Sequence, residues 1–463
     1  MSAAAPQPVG LALQVAWASG SFATGALFNA MALFALFYMT NFLGIAPAVA
    51  GTIILITRIY DGIIDPLIGA ISDRTNHRWG PRRIYLLVGA LGIGITFAAF
   101  FNLSRLSVDG AVSGLLVTGL LILYSTAYSI FSIPYLAMPP AIAPDYDQRT
   151  RLMSFRVFFL LLGVTAGSAG APALVSMMGG EENGYGAMGI VLAVLGTAVC
   201  AIVFFAAARL PQGDRVKRAE PVNSVALLVS PFTDAAKVVG NAPFRLLTLV
   251  KLCQLAVLST VLACTPYFFG IVLNVDAGKI GQYFGLFSVA GIISVPIYRW
   301  IIARAGKRET YLGLIILYGL SLATWFLWEP GEADLFFYLR AVVIGSFSTG
   351  TLLCALSMLP DTMEFDRLQS GESREGTMSG VWTFVENVAG ALGPFIIGLL
   401  LQANGLIQSR DPGVVQPPAV LEAIQWGVSV VPALFCLAAI PFLLSYRLDA
   451  AMLAKMRPVT AAK

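Results

Sequence analysis

The chain has 463 residues, 57% of them hydrophobic and 12% charged, with 29 basic and 25 acidic side chains, a single histidine and a formal net charge of +4. Soluble domains carry about 25% charged residues, so a supply half that size cannot cover a soluble surface. So apolar a composition equally excludes a disordered chain. A polytopic membrane protein is what remains.

A helix crossing a bilayer needs about 20 mostly apolar residues. Runs of that kind predict an all-α membrane protein of twelve spans, at 18–43, 47–72, 84–103, 111–138, 153–178, 187–208, 243–273, 280–303, 310–328, 334–359, 377–403 and 420–446. The runs are too long for barrel strands and lack their period-two alternation. The N-terminal MSAAAPQPVG has no basic region followed by a short apolar core, so no removable signal peptide is expected and the first span directs insertion.

Span two carries Arg58, Asp61 and Asp65 in the stretch Thr57-Arg58-Ile59-Tyr60-Asp61-Gly62-Ile63-Ile64-Asp65-Pro66. Ionisable groups at membrane depth are costly and normally face an interior cavity. Asp61 and Asp65 stand four residues apart, so their side chains stack on one helix face about 6 Å apart along the axis. Two such anions must share a proton or bind a cation, unless Arg58 salt-bridges them for structure alone. Span two ends in a basic loop, Gly69-x-x-x-Asp73-Arg74…Arg78-x-Gly80-x-Arg82-Arg83. Asp73, Arg74, Arg82 and Arg83 read as a gate whose charged pairs hold one conformation and break in the other, against the plainer reading of positive charge kept inside. In span five, Gly163-x-x-x-Gly167-x-x-Gly170 allows close helix approach.

The polar stretch after span six divides the chain into an N-terminal half (1–208), a cytoplasmic linker (209–242) and a C-terminal half (243–463). After span eight, Arg299…Arg304-x-Gly306-Lys307-Arg308 echoes the basic loop after span two, a weak repeat of the kind that alternating-access transporters carry. Lys251, in span seven, reads as snorkelling to the headgroups or as a partner for an acid. In span eleven, Trp382, Thr383, Glu386 and Asn387 lie together; Glu386 either titrates, pairs with Lys251 or Arg156, or makes a helix-packing contact. Asn29, Tyr124, Tyr128 and Gln254 are further cavity candidates that equally suit packing.

Basic residues fix the orientation. Loops on one side hold 21 Lys and Arg, those on the other hold three, so both termini are expected in the cytoplasm of a bacterium, with the chain in its inner membrane. The basic residues form no stripe able to follow phosphates, so no nucleic-acid partner is expected. His77 alone supplies no catalytic pair, and neither H-E-x-x-H nor G-x-S-x-G occurs, so no enzyme is expected. The largest loop is too small for a sensor's output domain. The five cysteines fall in apolar runs and read as packing residues, without a disulfide framework.

Arg58 to Gly69, the loop Ser72-Asp73-Arg74-Thr75-Asn76-His77-Arg78-Trp79-Gly80-Pro81-Arg82-Arg83, Ile133-Pro134-Tyr135, Asp145 to Arg151 with Phe155-Arg156, and Leu359 to Asp366 followed by Gly371-Glu372-x-x-Glu375-Gly376 together resemble the glycoside–pentoside–hexuronide:cation symporter family, whose members are melibiose permease-like. The order and spacing hold over most of the chain. The resemblance implies the major facilitator fold and cation-coupled solute symport. It puts Asp61 and Asp65 on the family's two cation-binding carboxylates and Ser129 on a hydroxyl beside them. Arg156 falls on a sugar-side arginine and Thr383 on a polar position of span eleven. Elsewhere the chain departs. Gly25 and Ser132 stand where the family has aspartates, Leu136 and Leu352 where it has tryptophans, Asn387 for a lysine and Ile64 for an asparagine.

The expected cation site is therefore Asp61, Asp65, Ser129 and Ser132. The expected solute site is Arg156, Thr383, Trp382, Glu386, Asn387, Tyr128 and Gly25. No cofactor is expected beyond the coupling ion, H⁺ or Na⁺, with H⁺ favoured because two oxygen ligands of the family's site are missing and a proton needs only the carboxylates. The partners expected are a small-molecule solute, the coupling cation and the lipid bilayer, around a monomer. A sugar, glycoside or related organic solute is the expected cargo, and the alternative is a carrier or exporter of a lipid-like or drug-like solute.

Overall fold

The computed structural model describes residues 10–75, 82–106, 110–142, 146–179, 181–209, 238, 240–371, 374–409, 414–449, 452–453 and 456. Among these, twelve helices are long and apolar enough to cross a membrane: Leu11–Asn41, Pro47–Gly69, Arg83–Phe100, Ser113–Leu136, Arg151–Met177, Asn183–Ala207, Ala242–Val272, Gly278–Ala305, Lys307–Leu327, Asp334–Ser370, Glu375–Ala403 and Pro418–Ser445. They are called spans one to twelve here. Without water to satisfy them, backbone N–H and C=O groups in hydrocarbon must pair within their own segment, which leaves the helix as the form for runs of this length.

The chain divides into two compact units. One comprises residues 1–222 with 275–282 and 408–414; the other comprises 223–274, 283–407 and 415–463. In the first, span one packs on span five where Gly163 and Gly167 lie against the backbone of Phe22 and Ala26. In the second, Gly393 of span eleven lies against the backbone of Ser259 and Thr260 in span seven. Ser259 Oγ fastens that contact, donating to the Ala389 carbonyl at 2.9 Å and accepting from the Gly393 N–H at 3.2 Å. Only a residue without Cβ permits backbones this close.

Two boundaries differ most from the sequence reading. Helix begins at Leu11 rather than at 18, with buried Gln14 accepting from Arg151 Nε at 3.1 Å, so this polar residue is held by a neighbouring helix rather than by a loop. Span ten runs on to Ser370, which makes Leu359–Asp366 helical rather than a turn. Pro360 there removes one helical hydrogen bond, too little to end a helix packed at Met358, Thr362 and Phe365. Spans five and seven each relax into a short π-helical segment, at Ala166–Gly170 and Phe268–Val272. Of the expected linker, residues 210–237 and 239 lie outside the described residues, as do residues 1–9 and 457–463 of the termini.

Candidate functional site: two charged centres in the helix bundle

Span two lies on span four, and the carboxylates lie on that contact. Tyr60 and Thr126 are joined through their hydroxyls at 2.8 Å, and a little over one turn further on Ser129 Oγ donates to Asp65 Oδ1 at 2.5 Å. Asp61, 6% exposed, takes Arg58 Nη1 on Oδ2 at 3.3 Å. Its other oxygen, Oδ1, is buried with no hydrogen-bond partner among the described residues. The arginine itself is held flat over the Phe28 ring, 4.6 Å from guanidinium carbon to ring centre. Phe28 continues the cluster through Tyr128 to Tyr124, with ring centres 6.2 Å apart at each step. The Tyr124 hydroxyl is also buried without a partner among the described residues. Pro66 has no N–H to give to the Gly62 carbonyl, which leaves a backbone oxygen on the helix between the two acids.

Fixed arginine and bare oxygen thus coexist at the acid pair. Arg58 compensates one oxygen of Asp61, Ser129 serves one of Asp65, and Asp61 Oδ1 is left over. An unsatisfied carboxylate oxygen away from water is costly. It accepts a proton, or it becomes a ligand to a cation. Ser132 is half-buried on the next turn after Ser129 and makes no hydrogen bond among the described residues. Arg156 is half-buried, its Nε enclosed without a hydrogen-bond partner, and it forms no ion pair among the described residues. Gly25 departs from its expected role. Its missing Cβ faces the Leu160 carbonyl and the Val164 N–H of span five, so it is a helix-packing position and offers a solute nothing.

The second centre is in the C-terminal half. The Gly393 contact sets the register of spans seven and eleven, and about two turns back along both helices Lys251 meets Glu386, Nζ to Oε1 at 3.4 Å. Trp382 Nε1 donates to the same oxygen at 3.0 Å, and the ammonium lies 5.4 Å from the Trp382 ring centre. Lys251 is 1% exposed, which corrects the snorkelling reading: its side chain turns to span eleven because a carboxylate waits there. Glu386 is 38% exposed. Thr383 and Asn387, on the same face of span eleven, make no hydrogen bonds among the described residues. Gln254, by contrast, is fully engaged, donating to Thr351 Oγ1 at 3.2 Å and accepting from the Tyr311 hydroxyl at 3.1 Å, and Asn29 donates to its own helix at Gly25. Both are structural.

The basic loops contact the same elements in each half. Arg82 donates to the Ala137 carbonyl at the end of span four, and Arg83 stacks on Phe204 of span six at 4.9 Å. In the second half Lys307 reaches Asp361 and the Ser357 carbonyl of span ten, while Arg308 donates to the Leu443 and Leu444 carbonyls of span twelve at 3.0 and 2.7 Å. Cations at helix C-termini complement the dipole and the unpaired carbonyls. The side chains of Asp73 and Arg74, and the whole of His77 and Arg78, lie outside the described residues.

Sequence reasoning left Lys251 as either a headgroup anchor or a partner for Glu386, and the structure pairs it with Glu386; Phe28 it missed altogether. The charge in span seven was a visible signal for the first. An aromatic in an apolar run carries none.

Comparison with known proteins agrees with this architecture. A family model described as MFS/sugar transport protein matches residues 16–450. The isoprimeverose transporter of Lactiplantibacillus pentosus is 26% identical over 92% of this chain and 87% of its own. The glucuronide carrier protein homolog of Escherichia coli strain K12 is 26% identical over 94% and 92%, and the inner membrane symporter YicJ of the same strain is 24% identical over 85% and 82%. Among solved structures, a bacterial homolog of the human lysosomal transporter Spinster superposes with a TM-score of 0.71 at 14% identity over 97% of this chain and 98% of its own. The nucleoside transporter NupG, as its D323A mutant, does so at 0.66 and 13% identity over 94% and 99%. With twelve apolar helices and a family model matched across nearly its whole length, the chain is a multi-pass membrane transporter of the major facilitator fold and belongs to the MFS/sugar transport protein family.

Proposed function

We propose that the protein imports a sugar, glycoside or related organic solute by cation-coupled symport, with Asp61 and Asp65 as the coupling site. One observation carries the reading: a buried carboxylate oxygen, Asp61 Oδ1, that makes no hydrogen bond of regular geometry among the described residues, with the Ser125 hydroxyl near its carboxylate, beside a second carboxylate that already holds Ser129. Charging that oxygen with a cation removes an uncompensated acceptor from the membrane interior. The ion thereby favours the conformation in which it binds, and a solute that prefers the same conformation is bound more tightly, each raising the other's affinity. A proton is the proposed ion. Asp61, Asp65, Ser129 and the Gly62 carbonyl hold six oxygens between them, but Arg58 occupies Asp61 Oδ2 and neutralises part of the pair, and the Ser129 hydroxyl is spent on Asp65 Oδ1, which favours the smaller demand of a proton.

Relatives named as a symporter, an isoprimeverose transporter and a glucuronide carrier homolog support the solute class and the coupling. The basic side chains crowded into alternate loops, together with the name of the inner membrane symporter YicJ, support a bacterial inner membrane with cytoplasmic termini. We propose a monomer as the working unit and the Arg82, Arg83, Lys307 and Arg308 contacts as the gate.

The test is uptake into proteoliposomes under separately imposed H⁺ and Na⁺ gradients, using a panel of labelled pentosides, hexosides and hexuronides. A proton gradient drives accumulation that a protonophore collapses. Accumulation driven by Na⁺ alone replaces the ion, and solute that only equilibrates under either gradient removes symport.

A further inference from the structure

The two halves repeat a local device. In span five Arg156 stands seven residues before Gly163, the glycine packed on span one; in span eleven Glu386 stands seven residues before Gly393, the glycine packed on span seven. Seven residues are two helical turns, so each half sets one charged side chain at the same height above its closest helix contact. The two charges are opposite and are treated differently. Arg156 forms no ion pair among the described residues. Glu386 has one oxygen doubly engaged, by Lys251 Nζ and Trp382 Nε1, while Oε2 receives no hydrogen bond among the described residues.

Glu386 is the exposed member of its cluster and Lys251 the buried one. A carboxylate exposed to lipid is strongly disfavoured, so Glu386 opens onto an aqueous path. On the same helix face, a Cβ on Gly380 or Gly390 meets no atom within 4 Å, and Thr383 and Asn387 offer polar groups without partners. That is a polar, unfilled face in a membrane helix. Its chemistry is specific. The ammonium cannot reach a solute, because it is enclosed beneath the glutamate, so its part is to fix the direction of Glu386. What a solute meets is a carboxylate oxygen able only to accept hydrogen bonds. Sugar hydroxyls donate to such an oxygen. A solute carboxylate or sulfonate is repelled by Glu386, and the ammonium beside it, that of Lys251, is already committed to the same carboxylate.

We propose that Glu386, oriented by Trp382 and Lys251, accepts hydroxyl groups of a neutral polyhydroxylated solute and discriminates against anionic ones. The inference rests on the symport reading and sharpens it, because it separates this chain's cargo from the hexuronides and sulfonates that names among its relatives mention. Glu386 is the binding residue; Lys251 is a positioning residue.

The experiment uses the full-length purified protein and thermal-shift titration with methyl β-D-xyloside, methyl β-D-glucoside, methyl β-D-galactoside and methyl β-D-glucuronide at constant ionic strength. At least one neutral glycoside stabilises the wild type and the glucuronide does not. Glu386→Gln binds that glycoside about tenfold to a hundredfold more weakly, the span expected for one hydrogen bond to a charged group, and tolerates the glucuronide better. Lys251→Arg retains neutral-glycoside binding and Lys251→Met loses it. The double variant Lys251→Met/Glu386→Gln, free of both charges, shows from its melting temperature that the loss is not misfolding. Glucuronide binding to the wild type as tight as that of the neutral glycosides overturns the proposal, as does unchanged glycoside affinity in Glu386→Gln or no response to any neutral glycoside. A parallel titration with H⁺ and Na⁺, with and without Asp61→Asn, separates the two readings. A cation-dependent shift that persists when the glycosides are silent sinks this inference alone, and its absence sinks the symport reading.

Discussion

The two halves of the molecule hold comparable charges and settle them in opposite ways. In the N-terminal half Asp61 keeps one buried oxygen bare and Arg156 stands without an ion pair among the described residues. In the C-terminal half Lys251 and Glu386 close on one another, with the lysine fully enclosed. A bare buried acceptor is sensitive to the arrival of a proton or cation, whereas a closed pair already holds its counter-charge. The open centre is suited to sensing a gradient. The closed centre is suited to presenting one oriented group to a solute.

Breaking the open centre has the largest expected consequence. Asp61→Asn and Asp65→Asn each abolish gradient-driven accumulation in proteoliposomes while leaving solute exchange across the membrane, which equilibrium counterflow measures; accumulation at the wild-type level in either variant contradicts the assignment. Breaking the closed centre acts on stability first. Glu386→Leu leaves an enclosed ammonium without its anion and costs about 3 kcal/mol, read as a fall in melting temperature, and Lys251→Met in the same chain recovers most of it. A double variant no more stable than the single one shows that the pair is not what the lysine depends on.

The register that creates the closed centre is itself testable. Gly393→Ala forces a methyl against the Ser259 and Thr260 backbone, at a cost of about 1–3 kcal/mol by overpacking. A cysteine pair at 251 and 386 then cross-links less efficiently than in the glycine background. Ser129→Ala sharpens the open centre instead. It removes the donor to Asp65, about 1.5 kcal/mol or roughly tenfold in half-saturating ion concentration, with the maximal rate little changed. The smallest effect belongs to the basic loops. Arg308→Ala removes two hydrogen bonds to the end of span twelve and lowers stability by about 1 kcal/mol or less, because the guanidinium is part-exposed.

Hydropathy made the twelve spans legible because length and composition are all that bilayer crossing requires. Charge alternation located the basic loops, and a four-residue spacing placed Asp61 and Asp65 on one face. What escaped was rotation and reach. Lys251 was left between anchor and acid partner because a linear run does not reveal that Gly393 brings span eleven into range. Gly25 resembled a vacated ligand position, yet its place is set by Leu160 and Val164 of span five. The apolar run of span ten stops at 359, yet burial of Thr362 and Phe365 carries the helix on past Pro360. Arg58 and Asp61, three residues apart, were within reach of one another by spacing alone, and that pairing was available from the sequence.

Modification of the two aspartates by a membrane-permeant carbodiimide, which reacts with protonated carboxyls, tests the centre of this account without knowledge of the solute. Peptide mass spectrometry of the reconstituted protein is expected to find Asp61 or Asp65 labelled increasingly as pH falls, with little protection by Na⁺. Labelling of both that is absent at every pH, or unchanged across it and indifferent to Na⁺, contradicts a cation-exchanging pair.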